Sequence, residues 1–264
     1  MSAMRFPWQR VVWILVIICA WAPFKVMWEV SIEKQQDQLR YHGVQMTRSL
    51  RDQLSQGLTI GILAGFRNIV ADFIWLEVTD AWTKYEWFKM DSLINLATSL
   101  EPRSILFWDN GGWQLAWNVS VFVSDDVVHQ PNKLRRLHDA RFWMYRGLDV
   151  YKRGIANNPT SYQLWISTGE LYQDRLADYW DAADAYGRAS ALPGAPVYVE
   201  RFQAIMLQKG GYKEQSYEAW KALWFRLTPA QREEKQHWKE KIISNIKLLE
   251  KQLNVPPEKR VFPN

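Results

Sequence analysis

A single cysteine, Cys19, is all that 264 residues contain, so no intrachain disulfide and no cysteine metal site can form. Histidine is scarce as well. His42, His129, His138 and His237 are scattered, and none makes the i, i+4 pair that a helical metal site uses. The chain lacks a glycine-rich phosphate loop, a Gly-x-Ser-x-Gly elbow and any cysteine nucleophile outside the apolar run around Cys19. The net charge of +5 is mild, and no basic run is interleaved with aromatics, which sets nucleic-acid binding aside. The expectation is a chain without metal, cofactor or catalysis. A pair of carboxylates at glycosidase separation is a three-dimensional matter, so an envelope glycan binder or hydrolase stays as a third reading.

Tryptophan, by contrast, is abundant, with 16 residues in a chain that is 48% hydrophobic and 23% charged. Tryptophan at helical spacing is mainly core. Its best-ordered setting is Trp165, Gly169 and Tyr172, followed by Ala182, Tyr186, Ala189 and Pro193. This W-x3-G-x2-Y and A-x3-aromatic-x2-A spacing resembles a tetratricopeptide repeat, a helix–turn–helix unit of about 34 residues. The large side chains fill the space between two antiparallel helices, and the small ones let the backbones approach. One pair cannot bury its apolar faces alone, so neighbours must stack beside it. The fold class expected is all-α: an N-terminal transmembrane helix, then an irregular helical-repeat solenoid.

Residues 1–30 read as a cytoplasmic tail and signal anchor. The run Val11 to Phe24, extended by Val26, Met27 and Trp28, approaches the length of a membrane span, so residues 11–28 are the expected membrane contact. Ala20-Trp21-Ala22 matches a signal-peptidase pattern, but Pro23 follows directly and obstructs cleavage. A very short N-terminal tail favours a cytoplasmic N-terminus, with the bulk of the chain periplasmic at a bacterial inner membrane.

Residues 31–56 read as an amphipathic connecting helix, with Ile32, Leu39, Met46, Leu50 and Leu54 at sevens and fours. The repeat region, 57–225, opens with Gly57, Gly61 and Gly65, a G-x3-G-x3-G stripe expected to act as a helix-packing zipper. Ile94, Ala97 and Pro102 suit a degenerate first repeat, and Trp108, Gly112 and Leu115 a second. Residues 105–123 also admit a hairpin, because Asn110-Gly111 is a turn signal and Trp113 to Val123 alternate at period two. The helical reading is preferred because its neighbours are helical. Trp108 and Trp165 stand 57 residues apart, roughly 23 more than one repeat. The excess falls in a loop near 123–132 and in a lengthened helix from Lys133 to Asn157.

Gly65 to Leu76 and Gly112 to Asn118 resemble a bacterial group of membrane-anchored, tetratricopeptide-like proteins. The resemblance implies a helical envelope protein with protein partners and no established activity. In a regular repeat of that superfamily the first helix lines a partner-binding groove. Transferred to this register, that nominates Asp109, Trp113 and Trp117 from one repeat and Gln163, Ile166, Glu170 and Gln173 from the next. A scaffold that holds a protein partner is the leading functional reading. The alternative is an accessory subunit of a membrane complex, bound through the anchor and the glycine zipper. Residues 226–264 complete the chain as a capping helix, striped by Trp238, Ile242, Ile246, Leu249 and Leu253, and a basic tail at Lys259-Arg260 expected to fray.

Overall fold

A computed structural model describes residues 65–228 and 236–262. The anchor at 11–28, the connecting helix, Gly57 and Gly61 lie outside the described residues. Among those described there is no strand, and no helix is long and apolar enough to cross a membrane.

The chain divides into two compact units, with the division between Phe107 and Trp108. In the first, α1 (Arg67–Thr83) packs on α2 (Trp87–Leu100). Val70, Ala71 and Ile74 meet Leu96, Ala97 and Leu100 in a common core, closed by Phe107. Trp75 stacks on Phe107 at 4.9 Å. Gly65 does not extend a zipper helix. It stands in a turn at φ 80°, a left-handed conformation that favours glycine, and α1 begins two residues later.

The boundary between the units falls inside α3 (Ile105–Trp113). This helix runs into a π-helical segment, Gln114–Val119, and then α4 (Ser120–Asp125). The hairpin alternative is thereby excluded. Leu115, Ala116, Val119 and Ser120 are buried while Trp113 and Val121 are exposed, which is helical rather than two-fold periodicity. The second unit continues with α5 (Lys133–Asn157), α6 (Tyr162–Leu171) with a π-helical extension Tyr172–Leu176, and α7 (Tyr179–Ser190). It ends with α8 (Tyr198–Lys209), α9 (Lys213–Arg226) and α10 (Gln236–Gln252). From α4 to α10 each helix packs on the next. Asn132, Ser161 and Asp178 cap α5, α6 and α7 through side-chain acceptors, which satisfies N–H groups left free at a helix start.

The repeat spacing works through its glycines. A Cβ at Gly169 would come within 2.9 Å of the Tyr186 ring, and one at Gly154 within 2.7 Å of Trp108. Gly112 meets the Tyr151 ring in the same way. Each contact joins the two helices of one pair, α3 with α5 or α6 with α7. The surplus residues in the second unit are mostly helix. They form α4 and the front of α5, so the connecting loop is only residues 126–132.

The C-terminal tail is docked, not frayed. Tyr217, Trp220, Leu223, Ile242, Ile246 and Leu249 form the last core, against which Val261 and Phe262 pack. Glu250, 2% exposed, accepts hydrogen bonds from the Tyr217 hydroxyl at 3.2 Å and the Val261 N–H at 2.6 Å. Arg260 donates from Nε to the Val255 carbonyl at 3.0 Å. A buried carboxylate needs such partners, and the tail supplies one of them.

Candidate partner-binding face

Two buried tyrosines, Tyr151 and Tyr186, pack against the helices α3 and α6. Because Gly112 leaves room for its ring, Tyr151 is only 1% exposed. Its phenol is pushed far above the ordinary value, first by burial and then by the charges of Asp109 and Glu170. Hydrogen bonds with Ser167 and Trp117 act in the opposite direction. Ser167 in turn donates to Asp109 Oδ1 at 2.6 Å, a side-chain bond between α3 and α6. Tyr186 repeats this arrangement one helix pair on. Its ring covers Gly169, and its hydroxyl donates to Gln173 Oε1 at 3.1 Å. Burial raises this phenol too, followed by Glu170 and Asp174.

Three carboxylates therefore share one side of the second unit. Burial holds Glu170 above the usual carboxylate range, with Asp109 and then Asp174 adding to the shift. Asp109 accepts from Ser167, and Asp174 accepts from Gln173 Nε2 at 2.8 Å. Among the described residues, no lysine or arginine forms an ion pair with any of the three. A cation, Arg175, follows Asp174 directly in the sequence. Arg175 lies over the Trp117 ring at 5.6 Å and donates to Ser120 Oγ at 2.8 Å. Burial lowers its guanidinium, and Asp125 opposes that shift.

Of the residues nominated from the sequence, Asp109, Trp117, Glu170 and Gln173 are brought into this arrangement. Trp113 is 47% exposed and Gln163 is exposed, but among the described residues no contact ties either to the carboxylates. Ile166 is different. At 8% exposure it belongs to the core and offers little to a partner. Sequence reasoning missed Ser167, Asp174 and Arg175. Asp174 stands four residues beyond Glu170, a helical step that was visible in the sequence. Arg175 gave no such signal, because its position depends on the π-helical turn. Both first helices become π-helical in their second half, and such segments are rare and often mark functional sites.

A groove of about 650 Å³ between α7 and α9 and a smaller space of about 170 Å³ beside Arg201 are lined by residues outside this face. Among the described residues no group of three or more His, Asp or Glu could hold a metal ion.

No protein-family model matches the chain, and no curated protein matches it significantly. Among solved structures, the crystal structure of MamA protein is 14% identical, covering 66% of this chain and 96% of that one at a TM-score of 0.30. At that score the likeness carries no argument. Among the described residues the fold is all-helical, built of antiparallel helix pairs held close at their glycines.

Proposed function

We propose that this protein is a non-enzymatic scaffold that holds a protein partner on the exposed face of α3 and α6 and their π-helical extensions. The observation that carries the reading is the side-chain link between adjacent repeats. Asp109 bonded to Ser167, and Arg175 laid over Trp117, turn two helix faces into one surface. That surface combines three carboxylates with Trp117, and the exposed Trp113 stands four residues before it on the same helix, a composition suited to polar contacts around aromatic anchors. The run at 11–28 would tether it to a bacterial inner membrane, with the body periplasmic.

The test is a photocrosslinkable residue at Trp113 or Glu170 in the full chain, in intact membranes. Capture of one partner from both positions, lost with Asp174→Arg and kept with Gly61→Leu, is the expected result. Capture that depends on Gly61 and is indifferent to Asp174 would favour the accessory-subunit reading and overturn the one proposed.

A further inference from the structure

Two surfaces of the second unit take no part in the face described above, and they are complementary. The first is the groove of about 650 Å³ between α7 and α9, floored by α8. Its apolar lining includes Trp180, Leu207 and Ala219, and its acidic members are Asp184, Glu214 and Glu218. No lysine or arginine lines it. Trp180 is 46% exposed, a large aromatic left at the groove wall. Asp184 and Glu218 do bond to Arg188 and Lys221 on their own helices, at 2.7 and 2.9 Å. Such exposed pairs within one helix are weak and readily exchanged, and among the described residues Glu214 makes no ion pair.

The second surface is the front of α5. Leu134, Leu137 and Tyr145 are 79%, 49% and 48% exposed. Together with Arg141 their spacing of three, four and four residues places them on one helix face. Lys133, Arg135 and Arg141 are exposed around this stripe. The stretch from 133 to 145 is about 20 Å long at a helical rise of about 1.5 Å per residue. Three large apolar groups in line on a cationic helix are more than the scattered exposure that needs no explanation.

We propose that these surfaces bind each other between copies of this chain, the front of α5 from one copy lying in the α7–α9 groove of the next. Leu134 and Leu137 would meet Trp180 and Leu207, while Arg135 and Arg141 would face Glu214 and Glu218. The mode is a helix in a groove, with apolar anchors at helical spacing and charges setting the orientation. Because a surface meets a different surface, every contact leaves one groove and one α5 face open. Copies therefore add head to tail, into a ring or an open filament. The patch is small, so association is weak in dilute solution and strengthens where copies are concentrated. It is also weakened by salt, which screens the exposed charges.

The test uses the full chain in mild detergent, followed by sedimentation velocity over a range of concentrations. Wild type should self-associate, and Arg135→Glu with Arg141→Glu should weaken this about tenfold or more. Glu214→Lys with Glu218→Lys should do the same. Mixing the two variants should restore association, since each groove again meets an α5 of opposite charge. Independently of those variants, Leu137→Cys in one population and Ala222→Cys in another, both in a Cys19→Ser background, should form a disulfide between copies. Three outcomes overturn the proposal: a wild-type chain that stays monomeric, reversed variants that associate as wild type does, or a mixture that fails to associate. Crosslinking through Ala222→Cys to another protein, with none between copies, overturns it as well.

Discussion

Replacing Arg136 by Met should loosen the segment that joins α4 to α5, by an amount the structure allows to be worked out. Arg136 is 9% exposed. Its Nε donates to the Ser124 carbonyl at 2.9 Å, and Nη1 to the carbonyls of Gln130 at 2.7 Å and Pro131 at 3.0 Å. One side chain thus holds both ends of the loop. Hydrogen bonds to a charged group are worth about 1.5–3 kcal/mol each. The simple sum is too large, because the freed carbonyls can partly hydrate and the buried guanidinium no longer has to be desolvated. A net loss of about 2–4 kcal/mol is expected. For a unit of this size each kcal/mol lowers Tm by about 2–4 °C, so the drop should be roughly 4–16 °C. Arg136→Lys keeps the charge but not the fork, and should fall in between. Calorimetry gives the global effect, and hydrogen exchange at the Val127 and Gln130 amides, both bonded within the loop, gives the local one. A Tm change below about 1 °C with unchanged exchange at these amides would refute the idea that Arg136 holds the loop.

Three further tests concern packing and charge. Gly112→Ala should cost about 1–3 kcal/mol through collision with the Tyr151 ring, and Gly169→Ala less, since a Cβ there would stop 2.9 Å from the Tyr186 ring; equal thermal shifts would contradict the packing described. Glu170→Gln should stabilise the chain at neutral pH but not in acid. Because the folded-state pKa of Glu170 is raised, the folded chain binds that proton more tightly, and wild type loses stability as pH rises from the ordinary carboxylate value through the raised one. Parallel Tm-against-pH curves for variant and wild type would count against this. Glu250→Gln should weaken the tail clamp by about 1–3 kcal/mol and expose Lys259 and Arg260 to trypsin. It should also lower the Tyr217 phenol, which burial and then Glu250 push up to about 12; an unmoved ultraviolet titration would show that Glu250 does not act on it.

Much of the helical architecture is legible from side-chain size alone. Tryptophan, glycine, tyrosine and alanine at fixed spacing leave few ways to pack two helices, and the 57-residue offset between Trp108 and Trp165 announces the insertion. Side-chain direction inside the insertion is not legible. Arg135 and Arg136 are adjacent and chemically identical, yet one is exposed and the other buried, because the loop's carbonyls lie on one side only. The tail departs from expectation for a similar reason. Its composition is that of a frayed end, but Glu250, seven residues before Pro257, supplies a buried acceptor that only the folded helix aims at it. Gly65 misleads because three glycines at fourfold spacing suit a helix stripe and also permit a turn.

The π-helical segments explain why the candidate site is only half visible in the sequence. A face drawn at α-helical steps through Gln163, Ile166, Glu170 and Gln173 leaves the surface at its second step and stops short at its end. Ile166 falls into the core, while the turn after Leu171 is widened and brings Asp174 and Arg175 round to the side of Glu170 and Trp117. The same widening follows Trp113 in the preceding repeat. π-helical turns cost helix geometry and have no propensity signature, so no pattern of apolar residues announces them. They recur here just after the glycines, Gly112 and Gly169, over which the two buried tyrosine rings pack. The small residues that let the helices approach and the irregular turns that present Asp174 and Arg175 therefore serve the same surface. A substitution that regularised either turn would be expected to separate Arg175 from Trp117 while leaving the helix pairs intact.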